Sequence, residues 1–368
     1  METGFRLQPV SFSDLPGWQA DNPRELIDAL RRCRIHVLAE KHYKTGSLGV
    51  STEDLLPAMN AAETHESGDA AAARQFFEAH FTPFKINKSD GTRGLVTAFY
   101  EPDVEVRAEP DDEWKHPFYR RPDDLIDLDD SNRPLEMDAT YAFGLLKNGQ
   151  ISPYPDRQAI DNGYLEGRGL EIAWARSKED VFFAHIQGAA RLVYPDGNVK
   201  RITYAAKAGH AFSAIGKKLV DEGEIKPEDI SMGSIRQWLR SNPERADQLY
   251  WHNRSYIFFR DVPAGDPHLG PIAAAKVQMT AGRSLAVDRT IHTFATPFFI
   301  ASDSLTRLDQ GQPFRRLMLA LDTGSAIVGP ARGDIFTGSG ALAGDLAGAV
   351  KNEADFYVFL PSSAAARY

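Results

Sequence analysis

The chain has 368 residues, with 42 Lys and Arg against 51 Asp and Glu, ten His and one Cys, for a formal charge of −9. Apolar residues make up 42% and charged residues 25%, a balance that excludes wholesale disorder, and a lone cysteine excludes an internal disulfide framework and a thiolate zinc cage. The length favours two domains, and the net acidity argues against a nucleic-acid binder, whose footprint would be basic.

Met1-Glu-Thr-Gly has no basic start, apolar core or small-residue cleavage site, so no leader is read in these residues. Apolar runs such as Tyr256-Ile-Phe-Phe259 fall far short of the ~20 residues a membrane span needs. The first ninety residues read mainly as helix. Asn22-Pro23 can cap a helix that places Leu26, Ile27 and Leu30 on one face, with Cys33 near its end. Further helices are expected over Ser51–Ala62 and Ala70–Phe81. Arg93–Val106 changes character to a strand interrupted at Pro102.

Short strands and turns then follow. Tyr194-Pro-Asp-Gly197 joins Ala190–Val193 to Val199–Ala205 as a hairpin. Ser177, with Asp180 three residues on, starts a helix by an acidic variant of the capping box. Helices are also expected over His210–Glu222, Pro227–Arg240 and Pro243–Tyr250, and Pro263–Pro271 reads as a linker. From Ser255 onward the chain is β-rich and full of Gly. Residues 101–138 hold fourteen carboxylates and five bases, so this one stretch carries the whole charge imbalance and reads as a solvated, loop-rich surface.

Three aspartates of the last third lie in apolar surroundings: Asp288 after Leu285-Ala-Val, Asp322 after Leu319-Ala-Leu, and Asp334 before Ile335-Phe336. A carboxylate there is costly unless it is hydrogen-bonded or functional. Gly324, Gly329, Gly333, Gly338 and Gly340 let backbone pass close to backbone or to a ligand. The histidines are scattered and never form an i, i+4 pair, so no metal is expected. No phosphate loop, dinucleotide fingerprint or Gly-x-Ser-x-Gly elbow appears, and no cofactor is expected.

Asp288, Leu321-Asp-Thr-Gly-Ser-Ala-Ile327, Gly333-Asp-Ile-Phe336 and Ala343-Gly-Asp-Leu-Ala-Gly348 resemble the three-aspartate domain of the membrane-bound lytic murein transglycosylase A family. Upstream segments agree in order: Pro9–Gly17, Thr97-Ala-Phe-Tyr-Glu-Pro102, Gly169–Trp174, Ile186-Gln-Gly188, Tyr204–His210, Ser231–Trp238 and Asn253–Phe259. The resemblance spans nearly the whole chain. It departs at Ala189-Ala190, Ala208, Ser325, Val328 and Thr293-Phe-Ala-Thr296.

The resemblance implies a mainly β protein with helices (α+β). A main domain over 1–102 and 231–368 would carry a double-psi β-barrel, an inserted smaller β domain would cover 103–230, and the glycan would lie in the groove between them. It implies cleavage of the MurNAc–GlcNAc β-1,4 bond of peptidoglycan with formation of 1,6-anhydro-MurNAc. Ordinary glycoside hydrolysis uses two carboxylates. Here the muramyl C6 hydroxyl attacks its own C1, so the nucleophile is tethered and one group can act as acid and then base. By its Gly-Asp-Ile-Phe motif that group is Asp334, which should start protonated in an apolar setting offered by Ile335, Phe336 and Leu321. Asp322 and Asp288 are read as catalytic support or, equally, as holders of barrel turns. Thr97, Tyr100, Glu101, Gln187, Gly188, Lys207 and His210 are the substrate-binding candidates, with Tyr100 either a sugar-stacking or a core aromatic and Glu101 the alternative acid.

Expected partners are peptidoglycan glycan strands and other cell-wall enzymes, with no nucleic acid. The protein would be a monomer of the periplasm, attached to the outer membrane. Two other readings stand beside this one: a hydrolytic glycosidase on the same barrel, and a weakly catalytic or non-catalytic peptidoglycan-binding protein.

Overall fold

In a computed structural model that describes residues 4–66, 68–263 and 265–368, the chain opens with a short strand, β1 (Phe5–Pro9), before three helices. Met1–Thr3, on which the reading of the chain's start falls, and Ala264 within the linker candidate lie outside the described residues. Helix α1 (Arg24–Ala39) buries Leu26, Ile27, Leu30, Cys33 and Val37, a stripe at helical spacing, so it runs past the expected end at Cys33. Helix α2 (Thr52–Thr64) starts at Ser51, whose hydroxyl accepts from the Asp54 N–H at 3.2 Å while the Asp54 carboxylate accepts from the Ser51 N–H at 2.8 Å. Helix α3 (Ala70–His80) is capped by Asp69. The sequence reading missed β1 and the strand after α3, β2 (Phe81–Lys88), which pair antiparallel. Strand β3 (Gly94–Glu101) ends one residue before Pro102, as the proline requires.

The contacts divide the chain into residues 1–100 with 265–368, and residues 101–264. The second unit holds β4 (Asp103–Arg107), β5 (His116–Tyr119), β6 (Leu125–Asp127), β7 (Phe143–Lys147), β8 (Gln150–Ser152), a short helical turn α4 (Arg157–Ala159) and β9 (Glu171–Ala175). Helix α5 (Lys178–Gln187) leads into the expected hairpin of β10 (Ala189–Val193) and β11 (Val199–Lys207), with Ala190 opposite Ile202. Helix α6 (Ile215–Asp221) is shorter than expected, and α7 (Met232–Ser241) begins at Ser231, whose hydroxyl caps the Ser234 N–H. Helix α8 (Pro243–His252) and β12 (Ile257–Val262) complete the unit. Its far boundary falls well past 230, where the resemblance had set it. Trp238, Leu239, Leu249 and Tyr250 share one apolar core with Phe182, Phe183 and Leu219, and β12 pairs antiparallel with β11, so the stretch 231–264 is bound to the insert.

The remaining strands return to the first unit: β13 (Ser284–Val287), β14 (Pro297–Ser302), β15 (Phe314–Asp322), β16 (Arg332–Ser339) and β17 (Lys351–Pro361), with helix α9 (Ala341–Ala347) between the last two and α10 (Ser362–Ala365) at the end. Strand β17 pairs with β14 through its later residues and with β3 through Lys351–Ala354, so β3, β17, β14, β15, β13 and β16 close into a six-strand ring. Closure removes the exposed edges an open sheet would have. Strand β13 is buried at all four positions and β14 at all six, and the apolar stripes of α1, α2 and α3 join the same core. The mixture of strands and helices is the expected class. The ring is a barrel, and its double-psi threading rests on the resemblance. No described helix is long and apolar enough to cross a membrane.

Candidate active site

Strand β13 runs between β15 and β16, and Ala286 is the Cα partner of Asp322 on one side and of Asp334 on the other. Directly opposed residues project to the same face of a sheet, so both carboxylates leave on the same side, about 10 Å apart at Cα across two strand spacings. The β13–β15 register slips just before Ala286, a bulge of the kind that re-aims side chains beside functional sites. By strand periodicity Phe336, not Ile335, shares Asp334's face. The Phe336 ring packs 5.4 Å from that of Phe99 and is fully buried.

Asp334 has two polar neighbours of its own. The Thr97 hydroxyl on β3 donates to its Oδ1, and Arg332, two residues earlier on β16, donates from Nη2 to that same hydroxyl at 2.8 Å. Burial pushes the Asp334 carboxyl above the usual range, against the opposing pull of Thr97 and Arg332. Asp322 is pushed up to about 6, first by burial and further by the charge of Asp334; the N–H groups of Ala274 (3.0 Å) and Thr323 and the ammonium of Lys276 act the other way. Two carboxyls that both resist ionisation, placed side by side, are suited to holding and moving a proton near neutral pH.

Asp288 is different. Its Oδ1 accepts from the Thr290 N–H at 3.0 Å and hydroxyl at 2.6 Å, and its Oδ2 accepts from the Gly329 N–H at 2.7 Å. His292 donates from Nε2 to the Pro330 carbonyl at 2.8 Å, its burial lowering the imidazole to about 4 and keeping it neutral. Asp288 and His292 therefore pin the loop that joins Asp322 to Arg332, which is a positioning role.

The candidate contacts divide the same way. Thr97 faces Asp334. Tyr100 is 7% exposed and lies under α9, where a Cβ on Gly344 would come within 2.8 Å of its ring, so it is a core aromatic and not a sugar platform. Glu101 is fully buried and ion-paired with Arg201 at 3.2 Å inside the second unit, a partnership that withholds it from acid catalysis. Gly188 caps α5 with φ +74°. Gln187 and Lys207 are partly exposed, and burial lowers the pKa of the Lys207 ammonium. His210 is buried in a loop, not at a helix start, and both ring nitrogens are engaged: Nδ1 with the Tyr141 hydroxyl at 3.1 Å and Nε2 with the Tyr154 carbonyl at 2.6 Å. Sequence reasoning missed Arg332, although its i−2 spacing from Asp334 on a strand was a signal, and the Ala274 N–H, which has no side-chain signature.

Residues 95–260 match the family model of the MltA specific insert domain, and residues 283–360 that of the 3D domain. Membrane-bound lytic murein transglycosylase A of Escherichia coli K12 is 32% identical over 287 residues, 76% of this chain and 69% of that protein. The crystal structure of a membrane-bound lytic murein transglycosylase from Agrobacterium tumefaciens superposes with a TM-score of 0.94 at 59% identity, covering 98% of this chain and 99% of that one. The structure of E. coli MltA with bound chitohexaose gives a TM-score of 0.66 at 25% identity, over 97% and 91% of the two chains.

Proposed function

The chain belongs to the membrane-bound lytic murein transglycosylase A family, lyases that act on peptidoglycan, and on that premise we propose that Asp334 is the single acid and base of the cleavage. The observation that carries this assignment is the setting of Asp334: a carboxyl raised by burial, with one oxygen tied to Thr97. Protonated Asp334 gives its proton to the bridging oxygen as the MurNAc C1–O bond breaks. As the muramyl C6 oxygen then bonds to C1, Asp334 takes the C6 hydroxyl proton, and the 1,6-anhydro ring closes without water. Asp322, held by two backbone N–H groups, faces the positive charge that grows at C1. Within the second unit, the partly exposed Gln187 and Lys207 are hydrogen-bond donors suited to a glycan. The chitohexaose held by the E. coli protein supports a chain of N-acetylated sugars as the ligand class. The protein works in the periplasm as a monomer attached to the outer membrane, alongside other cell-wall enzymes. Digestion of purified sacculi with mass analysis tests the reaction. Anhydro-MurNAc products from the wild type and none from Asp334→Asn are expected, and reducing-end MurNAc from the wild type would overturn it.

A further inference from the structure

We infer that Arg332 is a positioning residue that arms Asp334 by fixing the direction of the Thr97 hydroxyl. The argument is one of proton inventory. A guanidinium has only donors, so the Thr97 oxygen accepts from Arg332 Nη2 at 2.8 Å. That takes one of the hydroxyl's two lone pairs and sets its orientation, with its one proton directed at Asp334 Oδ1. In this arrangement Oδ1 accepts, and the catalytic proton is carried on Oδ2, the oxygen that Thr97 does not hold. Without Arg332 the hydroxyl is free to turn and accept from a proton on Oδ1. The acid's proton would then sit in an internal hydrogen bond, useless to a glycosidic oxygen.

The guanidinium is itself fixed. Its other amino group, Nη1, donates to the Gly333 carbonyl, and strand periodicity puts Arg332 and Asp334 on one face of β16. The elements around Asp334 carry few other charges: Asp322 on β15 with Lys276 beside it, Asp288 at the end of β13, Lys351 opposite Thr97 on β17, and Asp345 on α9. Asp288 is engaged by Thr290 and Gly329, and Arg332 is the cation that favours the ionised acid, while the mutual repulsion of Asp322 and Asp334 has the opposite sign.

This inference rests on Asp334 being the acid. Its test measures kcat, KM and pH profiles on solubilised glycan strands for the wild type, Arg332→Met, Arg332→Gln, Thr97→Val and the Arg332→Met/Thr97→Val double variant, with thermal unfolding followed in parallel. Arg332→Met is expected to lower kcat roughly ten- to a hundredfold with little change in KM. Its basic limb should move upward by roughly half to one pH unit, because the acid loses a favourable cation. The double variant should be no slower than Thr97→Val, since both break one relay. Arg332→Gln keeps an N–H for Thr97 and removes the charge, so kcat should stay within roughly threefold while the basic limb still rises. This variant serves if the Met variant does not fold. A wild-type kcat and profile in Arg332→Met, losses that multiply in the double variant, or an unmoved limb in Arg332→Gln would each overturn the inference. An inactive wild type, or one releasing reducing-end MurNAc, would overturn the underlying reading instead.

Discussion

Asp334 in the barrel and Glu101 in the second unit are both acids in matched motifs, Asp334 partly buried and Glu101 fully so, and Glu101 ends the very strand that carries Thr97. Their surroundings separate them. Glu101 is ion-paired at 3.2 Å with Arg201, a cation as buried as itself, and such a pair is a closed account of charge inside a core. Asp334 meets a hydroxyl and lies across one strand from a second carboxyl, and among the described residues no cation is bonded to it directly. Burial alone therefore does not mark a catalytic acid. The ground on which Asp334 is proposed as the acid is burial left partly uncompensated, so that the protonated form is favoured and the proton is available.

The largest expected effect falls on one side of this comparison. Asp334→Asn should lower release of anhydro-muropeptides by roughly a thousandfold or more, with the unfolding temperature unchanged or raised. Glu101→Gln should do the reverse, destabilising the second unit by about 3 kcal/mol in urea unfolding because the buried Arg201 loses its carboxylate partner, while the kcat of the folded fraction persists. An inactive but stable Glu101→Gln protein would break the comparison and move the acid to Glu101.

Asp322 gives a smaller effect with a definite sign. In the fold its carboxyl keeps its proton up to about pH 6, but in the unfolded chain only to near 4. Protonation of Asp322 thus favours the fold at low pH, and this contribution is lost as pH rises through its folded value. Asp322→Asn should leave stability unchanged below about pH 4 and raise it by about 2 kcal/mol above pH 7, as measured by urea midpoints. Removing a like charge also lowers the Asp334 pKa, so the basic limb of kcat/KM should move to lower pH, opposite to the effect expected at Arg332. The smallest effect is structural. Gly344→Ala would press a methyl against the Tyr100 ring and should cost about 1 to 2 kcal/mol, with loss of activity only as far as α9 shifts Tyr100 and β3.

Much of the fold was legible because it is written in local patterns. The α1 stripe, the helix from Ser51, the Ser177 cap, the break at Pro102 and the hairpin around Asp196-Gly197 follow from spacing and turn chemistry. The edges of the insert were not. Whether residues 231–264 belong to it depends on Trp238 and Leu249 finding Phe182 and Leu219, and on β12 finding β11. Strand β2 was hidden behind an alanine-rich helix that runs straight into it.

The sequence by itself determined the inventory: three aspartates set in apolar runs, the glycines that allow close strand approach, and an order of motifs that assigns the family. Only the tertiary structure gave these residues their surroundings. It holds Asp288 by loop N–H groups, buries Tyr100 and His210, pairs Glu101 with Arg201, and sets Arg332 against Thr97. The physical reason is that a carboxyl's task is set by the donors and charges within a few ångströms. Those neighbours are supplied by β3, β13 and β15, strands lying far from Asp334 in sequence or, where near, placed by a barrel that local spacing does not encode.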